Sequence, residues 1–304
     1  YMQGFSVPRK AGWDCHGLPV EVQIEKKLKL NSKKDIEKHG EAKFINECRE
    51  SVFSYINAWN KSTERMGYLI DLENHYATLD NNYIESVWWS LKEIYKKKLL
   101  YEAHKVVPFC PRCETPLSTH EVALGYRKIK EDSIVVKFRV GGKENEYFLV
   151  FTTTPWTLPS NLAIAVNPRL NYSYIKDESG DIYIIAKNLA RNYFENPNVI
   201  KNVRGEEILE ERYEPLFKYF EDLDAFRVIA GDFVLEEEGT GLVHMAPAFG
   251  EVDYEACKRE KLPFVQPVDE TGRFTKKVPE YEGKFIKDAD KEIISRLKDE
   301  GKLF

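Results

Sequence analysis

"SIVVKFRVGGKENEYFLVFTTTPWTLPSNLAIAV", Ser133 to Val166, decides the fold. "SIVVKFRV", "YFLVFTTT" and "LAIAV" are rich in β-branched and aromatic residues, with a period of two or a continuous apolar run, and are broken by Gly, Asn and Pro. That pattern predicts short strands. Further along, "DIYIIA", "FRVIAGDFVL" and "GLVHM" repeat it, and several such strands between turn residues predict a β-rich domain of barrel or sandwich type. A helix is expected near Asp253 to Glu260. A last amphipathic helix, "DADKEIISRLKDEG", is expected to start at Asp288 and stop at Gly301.

Upstream the period is helical. Phe44, Cys48, Val52, Ile56 and Trp59 fall on one face of a helix beginning at Glu41, and Ile84, Val87, Trp88, Leu91, Tyr95 and Leu99 on one face of another. Both stripes read as core packing. "GLP", Gly17 to Pro19, breaks structure before a helical "VEVQIEKKLKL". The switch of period at about residue 130 predicts a domain boundary. Residues 1–130 form a helical part with a cysteine-bearing connector, and residues 131–304 form the β-rich part.

A chain of 304 residues accommodates two domains, and 42% apolar residues suffice for a core. A formal net charge of −5 argues against a generic nucleic-acid binder, so RNA contact must use local patches. Candidates are Lys26, Lys27 and Lys29, then Lys33 and Lys34, then Lys96 to Lys98; each alone reads as a solvated helix face. No apolar run is long enough to span a bilayer as a helix. The opening "YMQGFSVPRK" reads as the interior of a longer protein rather than a signal peptide. Five unevenly spaced cysteines suggest a reducing cytoplasm rather than a disulfide framework.

Three constellations carry candidate chemistry. In "GWDCHGLPVE", Gly12 to Glu21, Asp14 and His16 sit among glycines, where backbone can approach a ligand closely. Asp14 could hold an ammonium group and His16 a polar ligand or a phosphate, but the spacing alone favours a turn with a capping Asp and a buried His. "CPRC", Cys110 to Cys113, has metal-knuckle spacing, yet zinc takes four ligands. His104 and His120 fit no zinc pattern, so the pair is half a site or simply reduced thiols. In "TTTPWTLPSN", Thr152 to Asn161, threonine is an ordinary strand residue. Three in a row before Pro-Trp is less ordinary. Thr152, Thr153, Thr154 and Thr157 offer hydroxyls that both donate and accept. Trp156 supplies a wall and Asn161 a two-sided amide. With His244 and Asp253 from "GTGLVHMAPAFGEVDYE", Gly239 to Glu255, they suggest a pocket for an aminoacyl ester.

These stretches resemble one family. "GWDCHGLPVE" looks like the isoleucyl-tRNA synthetase version of a class I synthetase motif; leucyl relatives read nearer "GWDAFGLPAE" and valyl ones nearer "GxDHAGIATQ". "TTTPWTLPSN" resembles the threonine-rich peptide of the editing domain, and "GTGLVHMAPAFGEVDYE" its second signature. "NNYIESVWWSLK", "VVPFCPRCETPLSTHEVALGY" and "FTKKVPEYEGKFIKDADKEII" follow in the family's order. The resemblance covers essentially the whole chain.

It implies an α/β fold, with a partial Rossmann-type catalytic core and helical connector joined to a β-barrel-rich editing domain. The family's "HIGH" and "KMSKS" signatures and its second Cys pair are not in this sequence, so an internal fragment is expected. Zn²⁺ at Cys110 and Cys113 is then expected to be held poorly. The full enzyme, by this resemblance, is a cytoplasmic monomer that joins isoleucine to tRNA(Ile) with ATP and Mg²⁺.

A pocket that fits isoleucine rejects valine weakly, because one methylene is worth only about 1–3 kcal/mol, a limit for which these enzymes are the known case. Editing removes the valine. By the resemblance, Asp253 grips the α-ammonium of the misattached valine. Thr153 and Thr154 contact the terminal adenosine or position water. His244 faces the amino-acid side chain, Ala246 leaves room for it, and Trp156 and Asn161 frame the tRNA end. Val252 stands where relatives often carry a first of two acids. Asp14 and His16 belong to the synthetic site. The rival expectations are a non-catalytic tRNA-binding module with a zinc knuckle, and a free-standing trans-editing hydrolase. The latter has no need of "GWDCHGLPVE".

Overall fold

In the computed structural model, which describes residues 1–123 and 125–304, the strand-forming segments of the second half assemble into one mixed eight-stranded sheet. The chain divides into two compact units, Tyr1–His104 and Lys105–Phe304. No helix among the described residues is long and apolar enough to cross a membrane.

The first unit starts with strand β1 (Lys10–Trp13), then helices α1 (Leu18–Leu28), α2 (Lys33–His39), α3 (Glu41–Val52) and α4 (Ile56–Arg65). Strand β2 (Asp71–Ala77) runs parallel to β1, and helix α5 (Asn81–Lys96) follows. A parallel pair joined through helices is the local form of a Rossmann-type core. Two expectations need correction. The stripe from Phe44 to Trp59 is not one helix face, because the helix ends at Val52 and restarts at Ile56. Phe44 is buried, whereas Trp59 is exposed. The stripe on α5 is not core either: Val87, Trp88 and Tyr95 are all exposed. A two-stranded sheet is too small to cover such a face.

The second unit opens with a knuckle, strands β3 (Phe109–Cys110) and β4 (Thr115–Pro116), followed by helix α6 (Thr119–Ala123). Then come β5 (Ile134–Arg139), β6 (Glu146–Thr152), a 3₁₀ helix (Pro155–Ser160), β7 (Ala163–Val166), β8 (Asn171–Lys176), β9 (Ile182–Ala186), helix α7 (Ala190–Tyr193) and β10 (Val199–Arg204). Strands β11 (Arg227–Ala230) and β12 (Leu242–Met245) and helices α8 (Glu251–Arg259) and α9 (Ile286–Asp299) complete it.

β6 organises the sheet. Along one edge it pairs antiparallel with β5 from Tyr147 to Thr152. Its other edge is shared: Glu146 to Phe148 pair with β9, and Phe151 pairs with Val243 of β12. The sheet therefore forks there, running β9–β8–β10 on one arm and β12–β7–β11 on the other. The fork sets the C-terminal end of β6, where the threonines lie, beside β12.

Alternation on β7 divides the core. Ile164 and Val166 face a large cluster that includes Phe138, Phe148, Tyr172 and, from α9, Ala289, Ile293 and Leu297. Ala163 and Ala165 face a smaller cluster with Met245 and, from α8, Ala256 and Cys257. Small residues on that face let α8 lie close. Each fully buried Phe contributes about 1.5–3 kcal/mol through area removed from water.

Asp288 is not the cap of the last helix. α9 begins at Ile286, which leaves Asp288 in its first turn, favourable there against the helix dipole. Gly301 follows the C-cap with φ +66° and ends the helix, as expected.

Candidate functional site

A cavity of about 410 Å³ opens where β6 meets β12. Its walls include Thr152, Thr153, Thr154, Thr157, His244, Ala246 and Asp253. Two segments 80 residues and more apart in sequence thus meet in one place, because β12 inserts between β6 and β7.

The threonine run leaves the strand at Thr152. Pro155 cannot donate to a ladder and suits the first turn of a helix, and the chain turns into the 3₁₀ helix there. Thr152 Oγ1 accepts from the Thr154 N–H at 3.1 Å, which closes the turn. Thr157 Oγ1 donates to the Thr154 carbonyl at 2.8 Å. Thr153 is exposed, and among the described residues its hydroxyl has no protein partner, so it is free for a ligand. The loop is pinned from outside: Asp290 of α9 accepts from the Trp156 N–H at 2.8 Å.

His244 is buried with both ring nitrogens engaged. Nε2 lies 2.8 Å from Thr157 Oγ1 and Nδ1 lies 2.9 Å from the Asn161 amide nitrogen. Burial lowers its pKa from 6.5 to about 4. At neutral pH it is an uncharged wall, and neither nitrogen is available to take a proton from water.

Asp253 sits in the first turn of α8. Its Oδ2 accepts from the Ala246 N–H at 2.8 Å, which ties the helix to the "MAPAFG" turn. Burial raises its pKa, and the Ala246 N–H works in the opposite direction. A partly desolvated carboxylate on the cavity wall favours a cationic group. Gly250 makes this possible. A Cβ there would lie 2.7 Å from Asp253 Oδ1. Gly241 plays a similar part at the other wall: its φ is +74°, and a Cβ would lie 2.3 Å from that of Ala186.

Two predicted residues lie outside the cavity walls. Trp156 packs edge-on against Phe249, with ring centres 4.7 Å apart. Asn161 stands behind His244, and its amide nitrogen also donates to the Ala163 carbonyl at 2.9 Å. Phe249, Thr240 and Glu238 line the cavity and were not singled out in the sequence. Thr240 and Glu238 flank Gly239 at the start of a quoted motif, which was the available signal.

In the first unit, Asp14 and His16 are both exposed, so His16 is not the buried histidine expected of that turn. Asp14 Oδ1 accepts from the His16 N–H at 3.4 Å, the turn that the spacing allowed. Both border one shallow hollow with Thr78, Tyr83 and Trp88. In the knuckle, the Cys113 N–H points at Cys110 Sγ at 3.4 Å. Among the described residues no group of three or more His, Cys, Asp or Glu is placed to hold a metal. Two thiols do not complete a zinc tetrahedron, so the described residues do not fit a closed zinc site.

A family model described as "tRNA synthetases class I (I, L, M and V)" matches residues 1–278. The chain belongs to that family. It is similar to the isoleucine–tRNA ligase of Clostridium acetobutylicum, 49% identical over 304 residues, and to isoleucine–tRNA ligase 2 of a Bacillus cereus strain, 50% identical over 304 residues. In both cases all of this chain is covered, and 29% of the relative; the chain thus spans under a third of the length of the curated relatives it matches. Among solved structures it is similar to the leucyl-tRNA synthetase editing domain of P. knowlesi, with a TM-score of 0.45 at 13% identity, over 57% of this chain and 95% of that one.

Proposed function

We propose that residues 131–304 form an editing domain that hydrolyses valyl-tRNA(Ile), within a protein whose whole chain is an isoleucine–tRNA ligase. The observation that carries this is the single cavity lined by the Thr152–Thr154 run, His244, Ala246 and Asp253. The family uses ATP and Mg²⁺ for ligation. Of the residues here, Asp14 and His16 would serve that synthetic site, Asp14 toward the amino-acid ammonium. The whole protein's isoleucine, tRNA(Ile) and ATP chemistry, its cytoplasmic location and its monomeric state belong to the same proposal. Lys26, Lys27 and Lys29 remain candidates for local RNA contact.

The hydrolysis needs water to attack the ester carbonyl and the ribose oxygen to leave. Asp253 holds the α-ammonium and so positions the carbonyl. The exposed hydroxyl of Thr153 and the polar edge of Thr154 orient water or the terminal adenosine. His244, neutral and fully bonded, is a wall against the amino-acid side chain rather than a base, and Ala246 adds little bulk to the cavity lining. An aminoacyl ester is already reactive, so orientation within a partly dry cavity supplies the acceleration. Trp156 and Asn161 act behind the walls.

The test is to incubate the chain with valyl-tRNA(Ile) and isoleucyl-tRNA(Ile) and follow release of free amino acid. Release of valine with isoleucine retained supports the proposal. RNA binding without release in a folded sample would favour a non-catalytic tRNA-binding module.

A further inference from the structure

One side chain that shapes the cavity stands outside it, on the last helix. Asp290 lies on α9 beside Ala289, and α9 sinks Ala289, Ile293 and Leu297 into the large core cluster. Asp290 Oδ1 accepts from the Trp156 N–H at 2.8 Å. We infer that Asp290 is a positioning residue for the hydrolysis: through this bond α9 holds the threonine loop in its reactive place, so that the rate depends on it and not the stability alone. This inference rests on the ester-hydrolysis proposal above and extends it, because no residue of α9 is among the cavity walls.

Residues 153–157 need an outside hold. The strand ends at Thr152, and Pro155 has no N–H to give. The Thr154 N–H donates to Thr152 Oγ1 at 3.1 Å, and the Thr157 N–H and hydroxyl both donate to the Thr154 carbonyl, at 3.0 and 2.8 Å. These bonds close the loop on itself without fixing where it stands. Among the described residues, two hydrogen bonds tie 153–157 to elements other than β6 and the 3₁₀ helix. One joins Thr157 Oγ1 to His244 Nε2 at 2.8 Å, itself part of the cavity wall. The other is the bond to Asp290, anchored in the core outside the cavity. Trp156 stands next to Thr157 and two residues from Thr154, both on the wall, so a shift of its amide moves both hydroxyls. A misplacement of about 1 Å near the chemistry costs about a hundredfold in rate.

The worth of the carboxylate lies in this bond. Burial raises the Asp290 pKa, and Glu131 and Asp132 push the same way; the Trp156 N–H and the Lys287 ammonium, 4.0 Å away, oppose it. A charge at this depth costs desolvation. What it supplies in return is a charge-assisted hydrogen bond, about twice as strong as a neutral one. The helix that carries it is held still by its own packing in the core, which makes the acceptor a fixed point for the loop.

The experiment compares single-turnover deacylation of valyl-tRNA(Ile) by the wild-type chain, Asp290→Ala, Asp290→Asn and Ile293→Val, each under conditions where urea unfolding shows it folded. Ile293→Val loosens the buried face of the same helix and leaves the bond alone. D290A is expected to lose about tenfold or more in maximal rate. Its half-saturating concentration stays within about twofold of wild type, because Asp253 is untouched. D290N, which keeps an acceptor, stays within about threefold of the wild-type rate, and I293V does the same. ¹³C-methyl spectra of threonine, assigned with Thr154→Ser and Thr157→Ser, are expected to show both signals displaced in D290A and unmoved in I293V. A wild-type rate in D290A, a loss that I293V shares, a loss confined to half-saturation, or D290N as slow as D290A overturns the inference. If the wild type leaves the valyl ester intact, it is the hydrolytic proposal that fails. The methyl spectra then decide whether Asp290 places the loop: displaced signals in D290A sustain it, and unmoved ones overturn it.

Discussion

Acid is expected to destabilise the second unit through His244 in particular. Its pKa is lowered to about 4 by burial, from 6.5. A depressed histidine pKa means that the folded state binds the proton less tightly than the unfolded chain. The stability it confers is present above about pH 6.5 and is lost as pH falls toward 4. With an unfolded pKa of about 6.5, the loss relative to pH 7 is about 2 kcal/mol at pH 5 and about 3 kcal/mol at pH 4. His244→Gln keeps a polar side chain that cannot take up a proton. Carboxylates titrate in both proteins, so the difference between them isolates His244. Of the five tryptophans, Trp156 is the one within residues 105–304. Incorporated 5-fluorotryptophan therefore gives a ¹⁹F signal that reports this unit during urea unfolding. Between pH 7 and pH 5 the wild type is expected to lose about 2 kcal/mol more than H244Q. Parallel losses in the two proteins would refute the assignment of a buried, neutral, doubly bonded imidazole.

Gly250→Ala places a Cβ 2.7 Å from Asp253 Oδ1, on a backbone that tolerates alanine at φ −145°. Valyl ester hydrolysis is expected to fall by about tenfold or more as the carboxylate is displaced, while urea stability changes by under about 1 kcal/mol. Asp290→Ala strips the Trp156 N–H of its acceptor. Amide exchange at Trp156 is expected to accelerate, with a cost of about 1–3 kcal/mol in stability, and Asp290→Asn should recover most of it.

Much of the sheet was legible because its strands carry dense β-branched and aromatic runs. Ile134–Arg139 and Leu242–Met245 fell within the segments read as strands, and Glu146–Thr152 did so but for its first residue. Strands Asn171–Lys176 and Val199–Arg204 did not, since "NYSYIK" and "VIKNVR" mix polar residues into the apolar run. Alternation of Tyr172 and Tyr174, both buried, was the missed signal. The fork at β6 has no local signature, because it depends on which strand takes each half of one edge. The helical stripe of α5 was legible as a stripe but not as an exposed one, since periodicity reports an apolar face and not its covering.

For the site, motif order brought out the threonine run, His244 and Asp253. It could not show that His244 has both nitrogens occupied. Nor could it show Asn161 behind the ring, since a two-sided amide in sequence says nothing of which partners it finds. Tyr213 lies outside every motif quoted and is visible only through its 2.6 Å bond to Asn161.

The central claim is an ammonium-gripping hydrolytic pocket built on Asp253, and single-turnover deacylation tests it most directly. Valyl-tRNA(Ile), isoleucyl-tRNA(Ile) and the valyl ester deaminated to its 2-hydroxy acid are given to the wild-type chain and to Asp253→Ala. The wild type is expected to hydrolyse the valyl ester and spare both others, and the variant to hydrolyse none. Equal hydrolysis of the valyl and deaminated esters, or an undiminished rate in the variant, would contradict the role of Asp253.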